Sequence, residues 1–239
     1  MSELRHHSGD ADWRGTDLAR QDDWSLTFDG AALEELEQAA RGTLDRDIAD
    51  LTADDLPLPT LAPTLRGIRD AVVDGRGFAL LRGLPVDTWP REVTARVFWA
   101  IGQRIGNPVV QNRDGHLLGH VKDLGGDAES PTQRGYQSAA ELPFHTDVGA
   151  EVVGLLCLQP AKAGGLSSVV SAAALWNEIL RQRPDLAAVL AAPYPRDRRG
   201  DVAEGQADWY AMPIFMSAGS RMTAAYVRRF IQSGQRHAD

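Results

Sequence analysis

The stretch that decides the fold is "ELPFHTDVGAEVVGLLCLQPAKAGGLSSVV", residues 141–170. It contains two short apolar runs separated by a Gly-Gly turn, and short apolar runs bounded by turn residues are typical of buried strands. Residues 151–160 are therefore predicted to form a central strand, and a second strand is expected before residue 171. The same stretch carries His145 and Asp147 two residues apart, so it also contains a candidate metal site.

The segments on either side of this stretch predict a mixture of helices and strands. Apolar residues at helical spacing, with Asp29 as a helix cap and an interruption before Pro184, predict several helices. These predicted helices cover residues 28–41, 64–75, 90–105, 171–192 and 223–237. A strand is predicted within residues 77–85, and two more flank an exposed loop within residues 194–216. In this order of predicted elements, helices come first and are followed by short strands with helices inserted between them. The order favours an α+β protein whose strands form a sandwich or barrel.

The ends of the chain suggest a simple domain organisation. Residues 1–24 are polar and are expected to be a loosely ordered segment, with His6 and His7 in solvent. Residues 25–239 are long enough to bury one core and are expected to form a single domain.

Composition excludes several classes of protein. The 239 residues carry a formal net charge of −8 and show no basic stripe, which argues against a nucleic-acid-binding protein. The apolar runs are too short to span a membrane, and the polar N-terminus does not resemble a signal peptide. Cys157 is the only cysteine, so no intrachain disulfide can form, and a buried, inert thiol is expected in this apolar run. These features predict a cytoplasmic protein, and an oligomer is compatible with them.

The pair formed by His145 and Asp147 has two interpretations. Residues i and i+2 of a strand point to the same face, so both side chains can reach one metal ion. An imidazole and a carboxylate suit Fe(II), Mn(II) or Zn(II), and the facial triad of non-haem iron oxygenases adds a second histidine. The alternative is a strand-end histidine that is hydrogen-bonded to a neighbouring aspartate. The motif alone leaves both interpretations open.

Five stretches, in this order along the chain, carry a resemblance to a known family. They are "GFALLRGLP" (77–85), "IGQRIGNPVVQNRDGHLLGHVKD" (101–123), "YQSAAELPFHTDVG" (136–149), "LCLQPAKAGGLSSVVSAAALWNEI" (156–179) and "MPIFMSAGSRMTAAYVRRFI" (212–231). Over roughly residues 64–235 the chain resembles the TauD/TfdA family of Fe(II)- and 2-oxoglutarate-dependent dioxygenases. The resemblance implies a double-stranded β-helix, or jelly-roll, core with flanking helices.

The resemblance also implies roles for particular residues. His145 and Asp147 correspond to two ligands of Fe(II), and the Ser167 hydroxyl falls where the family often holds the cosubstrate 2-oxoglutarate. Gln111 and the loop 124–141 border the expected pocket for a small-molecule substrate and O2. Arg229 is either a contact for a substrate carboxylate or part of a solvated helix face.

Two parts of the family pattern are not evident in the sequence. The family has a distal histidine, followed about ten residues later by an arginine that binds 2-oxoglutarate. His116 and His120 precede the His-x-Asp motif, whereas His237 follows a helix and has no arginine after it. The final strands of the jelly roll are therefore expected to be absent, and the chain is expected to be an N-terminal fragment of a longer enzyme. The alternative is a catalytically inactive binding or scaffold protein with a degenerate metal site. A metal-dependent hydrolase is disfavoured, because nothing resembles a zinc triad with a general base.

Overall fold

A computed structural model describes residues 4–112, 115–123, 125, 141–147, 149–198, 202, 205–219 and 221–237. The contacts of the chain divide it into two compact units. The N-terminal unit comprises Trp13–Leu117 and Ala150–Val169, and the C-terminal unit comprises Met1–Asp12, Leu118–Gly149 and Val170–Asp239. The single domain predicted over residues 25–239 stays a prediction.

The N-terminal unit is mainly helical. Its elements are α1 (Gly15–Leu18), β1 (Ser25–Thr27), α2 (Gly30–Arg41), a 3-10 helix (Ile48–Asp50), α3 (Ala62–Val73), β2 (Leu80–Arg82) and α4 (Arg91–Ile105). The Asp29 carboxylate accepts a hydrogen bond from the Ala32 amide at 2.8 Å, which confirms the predicted cap of α2. Strands β1 and β2 pair in parallel, with Leu26 opposite Leu81.

Helix α4 organises the core of this unit. It packs against α2 and α3, and its apolar face is buried together with Leu36 and Leu65. Its polar side chains donate to backbone carbonyls of the connection between α2 and α3, residues 42–61. The Trp99 indole donates to Leu51 at 2.9 Å, and the Arg96 guanidinium donates to Thr43 at 3.1 Å. The connection therefore obtains part of its backbone hydrogen bonds from side chains of α4, in addition to those within its own turns and 3-10 helix.

The predicted strands around residues 151–170 are not observed. The structure assigns no strand there, and no described strand pairs with this stretch, although a strand needs a hydrogen-bonded neighbour. The prediction of a buried Cys157 is wrong for the same reason, because an unpaired stretch leaves its thiol exposed. The turn between the two runs is confirmed, since Gly164 and Gly165 both have φ of +73°.

In its described residues, the C-terminal unit combines α-helices with two antiparallel strand pairs. Its elements are α5 (Ala172–Gln182), α6 (Pro184–Leu190), β3 (Tyr194–Asp197), β4 (Trp209–Met212), β5 (Phe215–Ala218), β6 (Arg221–Ala224), α7 (Arg228–Gly234) and a 3-10 helix (Gln235–His237). Strand β3 pairs antiparallel with β4, and β5 pairs antiparallel with β6. The core of the unit forms around Trp176, Ala187, Ile214 and Phe215.

Part of the N-terminal segment contacts this core, since Leu4 packs against it, while His6 is exposed as expected. His7, which was expected in solvent, is only 5% exposed. Its amide donates to the Asn177 side chain at 2.9 Å, and the Trp176 indole donates to the Arg5 carbonyl at 2.9 Å. The Asn177 and Trp176 side chains of α5 therefore hold the N-terminal segment in place. The polar composition of the segment gives no indication of these two partners.

The structure confirms an α+β protein and corrects one helix. The helix predicted over 223–237 begins only at Arg228, because Arg221–Ala224 instead pairs with β5. The jelly roll stays a prediction, since the described strands form three separate two-stranded sheets. Among the described helices, none combines the length and the apolar character needed to span a membrane.

Candidate metal site

Thr146, between the two candidate ligands, is held by two hydrogen bonds to one residue. Its amide donates to the Tyr226 carbonyl at 2.8 Å, and its hydroxyl oxygen accepts from the Tyr226 amide, also at 2.8 Å. Tyr226 lies two residues after the end of β6, so the segment 145–147 lies beside the continuation of this strand. The flanking side chains of His145 and Asp147 are thereby carried by a fixed stretch of backbone.

The hydrogen bond of His145 determines which ring nitrogen can bind a metal. The His145 Nδ1 lies 2.8 Å from the Pro143 carbonyl oxygen. Because a carbonyl only accepts, Nδ1 carries the proton, and Nε2 of the neutral ring keeps its lone pair. Metal-binding histidines ordinarily donate their other N–H in this way. The tautomer therefore fits a metal ligand that binds through Nε2.

The partner of His145 also bears on the alternative interpretation of the pair. His145 forms its hydrogen bond with the Pro143 carbonyl and not with the Asp147 carboxylate. The side chains of both candidate ligands are exposed. In an extended chain, residues 145 and 147 present their side chains on the same side, opposite Thr146. One imidazole and one carboxylate form the kind of donor set that Fe(II) accepts.

A third ligand is not found in the part of the chain that the structure describes. There, no group of three or more histidine, cysteine, aspartate or glutamate residues is arranged to hold a metal ion. His237 stacks on Trp209 with ring centroids 5.8 Å apart, and its Nε2 accepts from the Arg236 Nε at 3.0 Å. That lone pair is therefore already engaged. His120 is exposed, and the His116 ring contacts the Asn112 side chain at 2.9 Å.

The remaining predicted site residues are spread over both units. Ser167 follows the Gly-Gly turn and is exposed, and the Gln111 amide donates to the His116 carbonyl at 2.8 Å. Both residues lie in the N-terminal unit. Arg229 is exposed on α7 of the C-terminal unit. The predicted binding loop 124–141 lies outside the described residues except for positions 125 and 141. The roles of these residues stay predictions.

Sequence reasoning missed three residues that support the site. Thr146 appeared only as a spacer, and Tyr226 was assigned to a helix. Arg196 is fully buried on β3, and its guanidinium donates to the carbonyls of Pro213, at 2.9 Å, and Ala225. Burial lowers the pKa of the Arg196 guanidinium, and Tyr210 acts in the opposite direction. The sequence "YPRD" places an arginine in a predicted strand, but it does not indicate that this arginine is buried or binds backbone carbonyls.

Comparisons with known proteins identify the family of this chain. A model of the family described as "Taurine catabolism dioxygenase TauD, TfdA family" matches residues 44–234. The chain is 29% identical over 231 residues to FR-33289 synthase of Streptomyces rubellomurinus, covering 95% of this chain and 68% of that protein. It is 32% identical over 183 residues to the taurine hydroxylase-like protein SAT17 of Stachybotrys chartarum, covering 73% of this chain and 47% of that protein. The chain thus spans about two thirds of one relative and about half of the other.

The family model covers well over half of the sequence and includes both His145 and Asp147. The two relatives add matches that extend over most of the chain. The chain therefore belongs to the TauD/TfdA family of dioxygenases.

Proposed function

We propose that this protein contributes to an Fe(II)- and 2-oxoglutarate-dependent dioxygenase that oxidises an aliphatic C–H bond of a small organic substrate. The observation that carries the proposal is the His145-Thr146-Asp147 segment, tied to Tyr226 within a chain of the TauD/TfdA family. The name of one relative, a taurine hydroxylase-like protein, agrees with an oxidative reaction.

His145 and Asp147 are proposed to hold the metal through Nε2 and the carboxylate. The proton on His145 Nδ1, directed at Pro143, favours this use of Nε2. When bound, Fe(II) with 2-oxoglutarate and O2 supplies an oxidation that is coupled to release of succinate and CO2. The protein residues orient the metal and keep His145 in the tautomer that can bind it.

A jelly-roll core is proposed as the fold that presents these ligands. The stretch 151–170 exposes apolar side chains that a paired strand would cover, among them Leu155 at 76% and Leu166 at 96% exposure. Exposed apolar side chains gain free energy when another surface covers them, which favours such pairing. Pairing of this stretch within a sheet would also give its backbone groups the partners that a strand requires.

Anaerobic titration of the protein with Fe(II) and 2-oxoglutarate tests the proposed function. A visible charge-transfer band is expected for the wild type, and it should disappear in His145→Gln and in Asp147→Asn. His120→Gln is the matched control, because it removes an exposed histidine outside the motif and should leave the band unchanged. No band in the wild type would contradict the proposal, and so would a band that persists in both ligand variants.

Ser167 is proposed to hydrogen-bond 2-oxoglutarate. Ser167→Ala should then raise the 2-oxoglutarate concentration needed for half of the charge-transfer band by about fivefold to tenfold, corresponding to loss of one hydrogen bond of about 1 kcal/mol. Ser168→Ala changes the neighbouring exposed serine and provides the control. If Ser167→Ala and the wild type need the same 2-oxoglutarate concentration for half of the band, Ser167 has a role only in the turn.

A second candidate function is a catalytically inactive binding or scaffold protein. The observation that favours it is the lack, among the described residues, of a third metal-binding side chain grouped with the others. Measurement of succinate during aerobic incubation with Fe(II) and 2-oxoglutarate distinguishes the candidates. Succinate formation above that of His145→Gln supports the enzyme, whereas Fe(II) binding without succinate supports the binding protein.

A further inference from the structure

We propose that Arg196 is a positioning residue for the metal-binding segment and acts on it through Ala225, Tyr226 and Thr146. This inference rests on the proposed function, because the segment that it positions carries His145 and Asp147. All residues of the chain of contacts lie in the C-terminal unit. None of the sequence patterns singled out Arg196 for such a role.

The first step is the hydrogen bonding of the Arg196 guanidinium to backbone carbonyls. Arg196 is 0% exposed, and its Nη2 donates both to the Pro213 carbonyl, at 2.9 Å, and to the Ala225 carbonyl. Its Nε also approaches the Met212 carbonyl at 3.4 Å. A planar guanidinium presents several donors in a fixed arrangement, so one side chain joins the end of β4 to the residue that follows β6. The carbonyl groups of Met212, Pro213 and Ala225 compensate in part for the loss of water at Nε and Nη2.

The second step fixes Ala225 from both sides. The Ala225 amide donates to the Ile214 carbonyl at 2.8 Å, while its own carbonyl accepts from Arg196. Ala225 is also buried, at 7% exposure. Its peptide plane with Tyr226 therefore has little freedom to rotate, because the carbonyl of Ala225 and the amide of Tyr226 belong to the same planar unit.

The third step transmits this orientation to the ligands. The Tyr226 amide, which shares that peptide plane, donates to the Thr146 hydroxyl at 2.8 Å, and the Tyr226 carbonyl accepts from the Thr146 amide at 2.8 Å. Thr146 is the residue between His145 and Asp147. Loss of the Arg196 contact to Ala225 would free the peptide plane that aims the Tyr226 amide at Thr146, and the spacing of the two ligands would loosen.

Amide hydrogen exchange of the metal-free protein tests the positioning directly. In Arg196→Met, exchange of the Thr146 and Tyr226 amides, resolved by NMR, should accelerate about tenfold or more relative to amides within α5. Arg196→Lys keeps the positive charge but lacks the planar set of guanidinium donors. It should therefore show a smaller acceleration of hydrogen exchange at the same two amides. The lysine variant also decides the question if the methionine variant does not fold.

A second measurement connects this positioning to metal binding. Co(II), followed by its visible absorption, serves as the probe, and Arg196→Lys and Arg196→Met should raise its dissociation constant by about tenfold, the size typical of losing a group that orients a metal ligand. Arg96→Met is the matched control. Arg96 is likewise a buried arginine that donates to backbone carbonyls, those of Thr43 and Arg46, but it lies in the N-terminal unit. It should alter stability without altering Co(II) affinity or the exchange of Thr146.

The outcomes separate this inference from the proposed function. Unchanged exchange of Thr146 and Tyr226 in folded Arg196 variants would overturn the inference, and so would an equal acceleration in Arg96→Met. If exchange depends on Arg196 but the wild type binds no Co(II), the positioning is supported and the metal-binding function fails. If the wild type binds Co(II) with an affinity that the Arg196 variants retain, the function stands and the inference is overturned.

Discussion

Thr146 and Tyr226 exchange two hydrogen bonds, although 80 residues separate them in the sequence. One bond joins backbone to backbone, and the other uses the threonine hydroxyl as acceptor for the Tyr226 amide. The hydroxyl thus takes the place that a backbone carbonyl would occupy in a regular strand pair. The middle residue of the His-x-Asp motif is consequently a structural part of the candidate site.

Thr146→Val is expected to weaken metal binding while nearly preserving side-chain shape. Valine leaves the Tyr226 amide without its acceptor, and an unsatisfied amide that is shielded from water costs about 1–3 kcal/mol. We expect a several-fold rise in the Co(II) dissociation constant and faster exchange of the Tyr226 amide. Thr146→Ser retains the hydroxyl and should behave like the wild type. A serine variant as impaired as the valine variant would show that the methyl group, and not the hydrogen bond, matters.

Ser171→Ala should destabilise the C-terminal unit by about 1–2 kcal/mol, the usual cost of losing a helix cap. The Ser171 hydroxyl accepts from the Ala174 amide at 2.9 Å at the start of α5 and also donates to the Ala11 carbonyl. Urea denaturation followed by the fluorescence of Trp176 and the other tryptophans measures the effect. Ser168→Ala removes an exposed hydroxyl nearby and should leave the midpoint unchanged; equal midpoints for both variants would contradict the capping role.

Gly234→Ala should destabilise the packing of α7 on β3 by about 1–3 kcal/mol, as overpacking does in other cores. A Cβ at this position would meet the Pro195 carbonyl and would lie 2.8 Å from the Arg196 Cα, so backbone would have to move. Gly102→Ala in α4 is the opposite case, because nothing lies within 4 Å of its Cβ. It should stabilise the protein by up to about 1 kcal/mol through helix propensity. Thermal unfolding of both variants tests this, because Gly234→Ala should lower the melting temperature and Gly102→Ala should raise it.

Asp55→Asn should reduce stability in a pH-dependent manner. Hydrogen bonds from Arg46, and then from the Thr52 amide and hydroxyl, hold the pKa of Asp55 well below its ordinary value of 3.8. A carboxyl whose folded pKa is lowered stabilises the folded state above its unfolded pKa, and this contribution is lost as the pH falls towards the folded pKa. The melting temperature of Asp55→Asn should therefore lie below that of the wild type at pH 7.

The difference between these melting temperatures should shrink progressively between pH 4 and pH 2. Asp54→Asn, which changes the exposed neighbouring aspartate, is the control and should show a small difference at every pH. A constant difference for Asp55→Asn over this range would rule out the ionised carboxylate as its cause.

The sequence by itself determined the local features of this protein. The cap at Asp29, the break before Pro184, the Gly-Gly turn and the order of helices depend on residues that are close in the chain, so propensity and periodicity revealed them. The His-x-Asp motif and its flanking stretches likewise pointed to the family that the comparisons show.

Only the tertiary structure decided how the motif is held and which residues hold it. The partners of Thr146, His7 and Arg196 come from distant segments, and hydrogen bonds across such distances leave no periodic trace in a sequence. The same physics explains the wrong predictions at Cys157 and at residues 223–224. An apolar run becomes a buried strand only where a neighbour pairs with it, and a helical pattern yields where a strand such as β5 offers pairing instead.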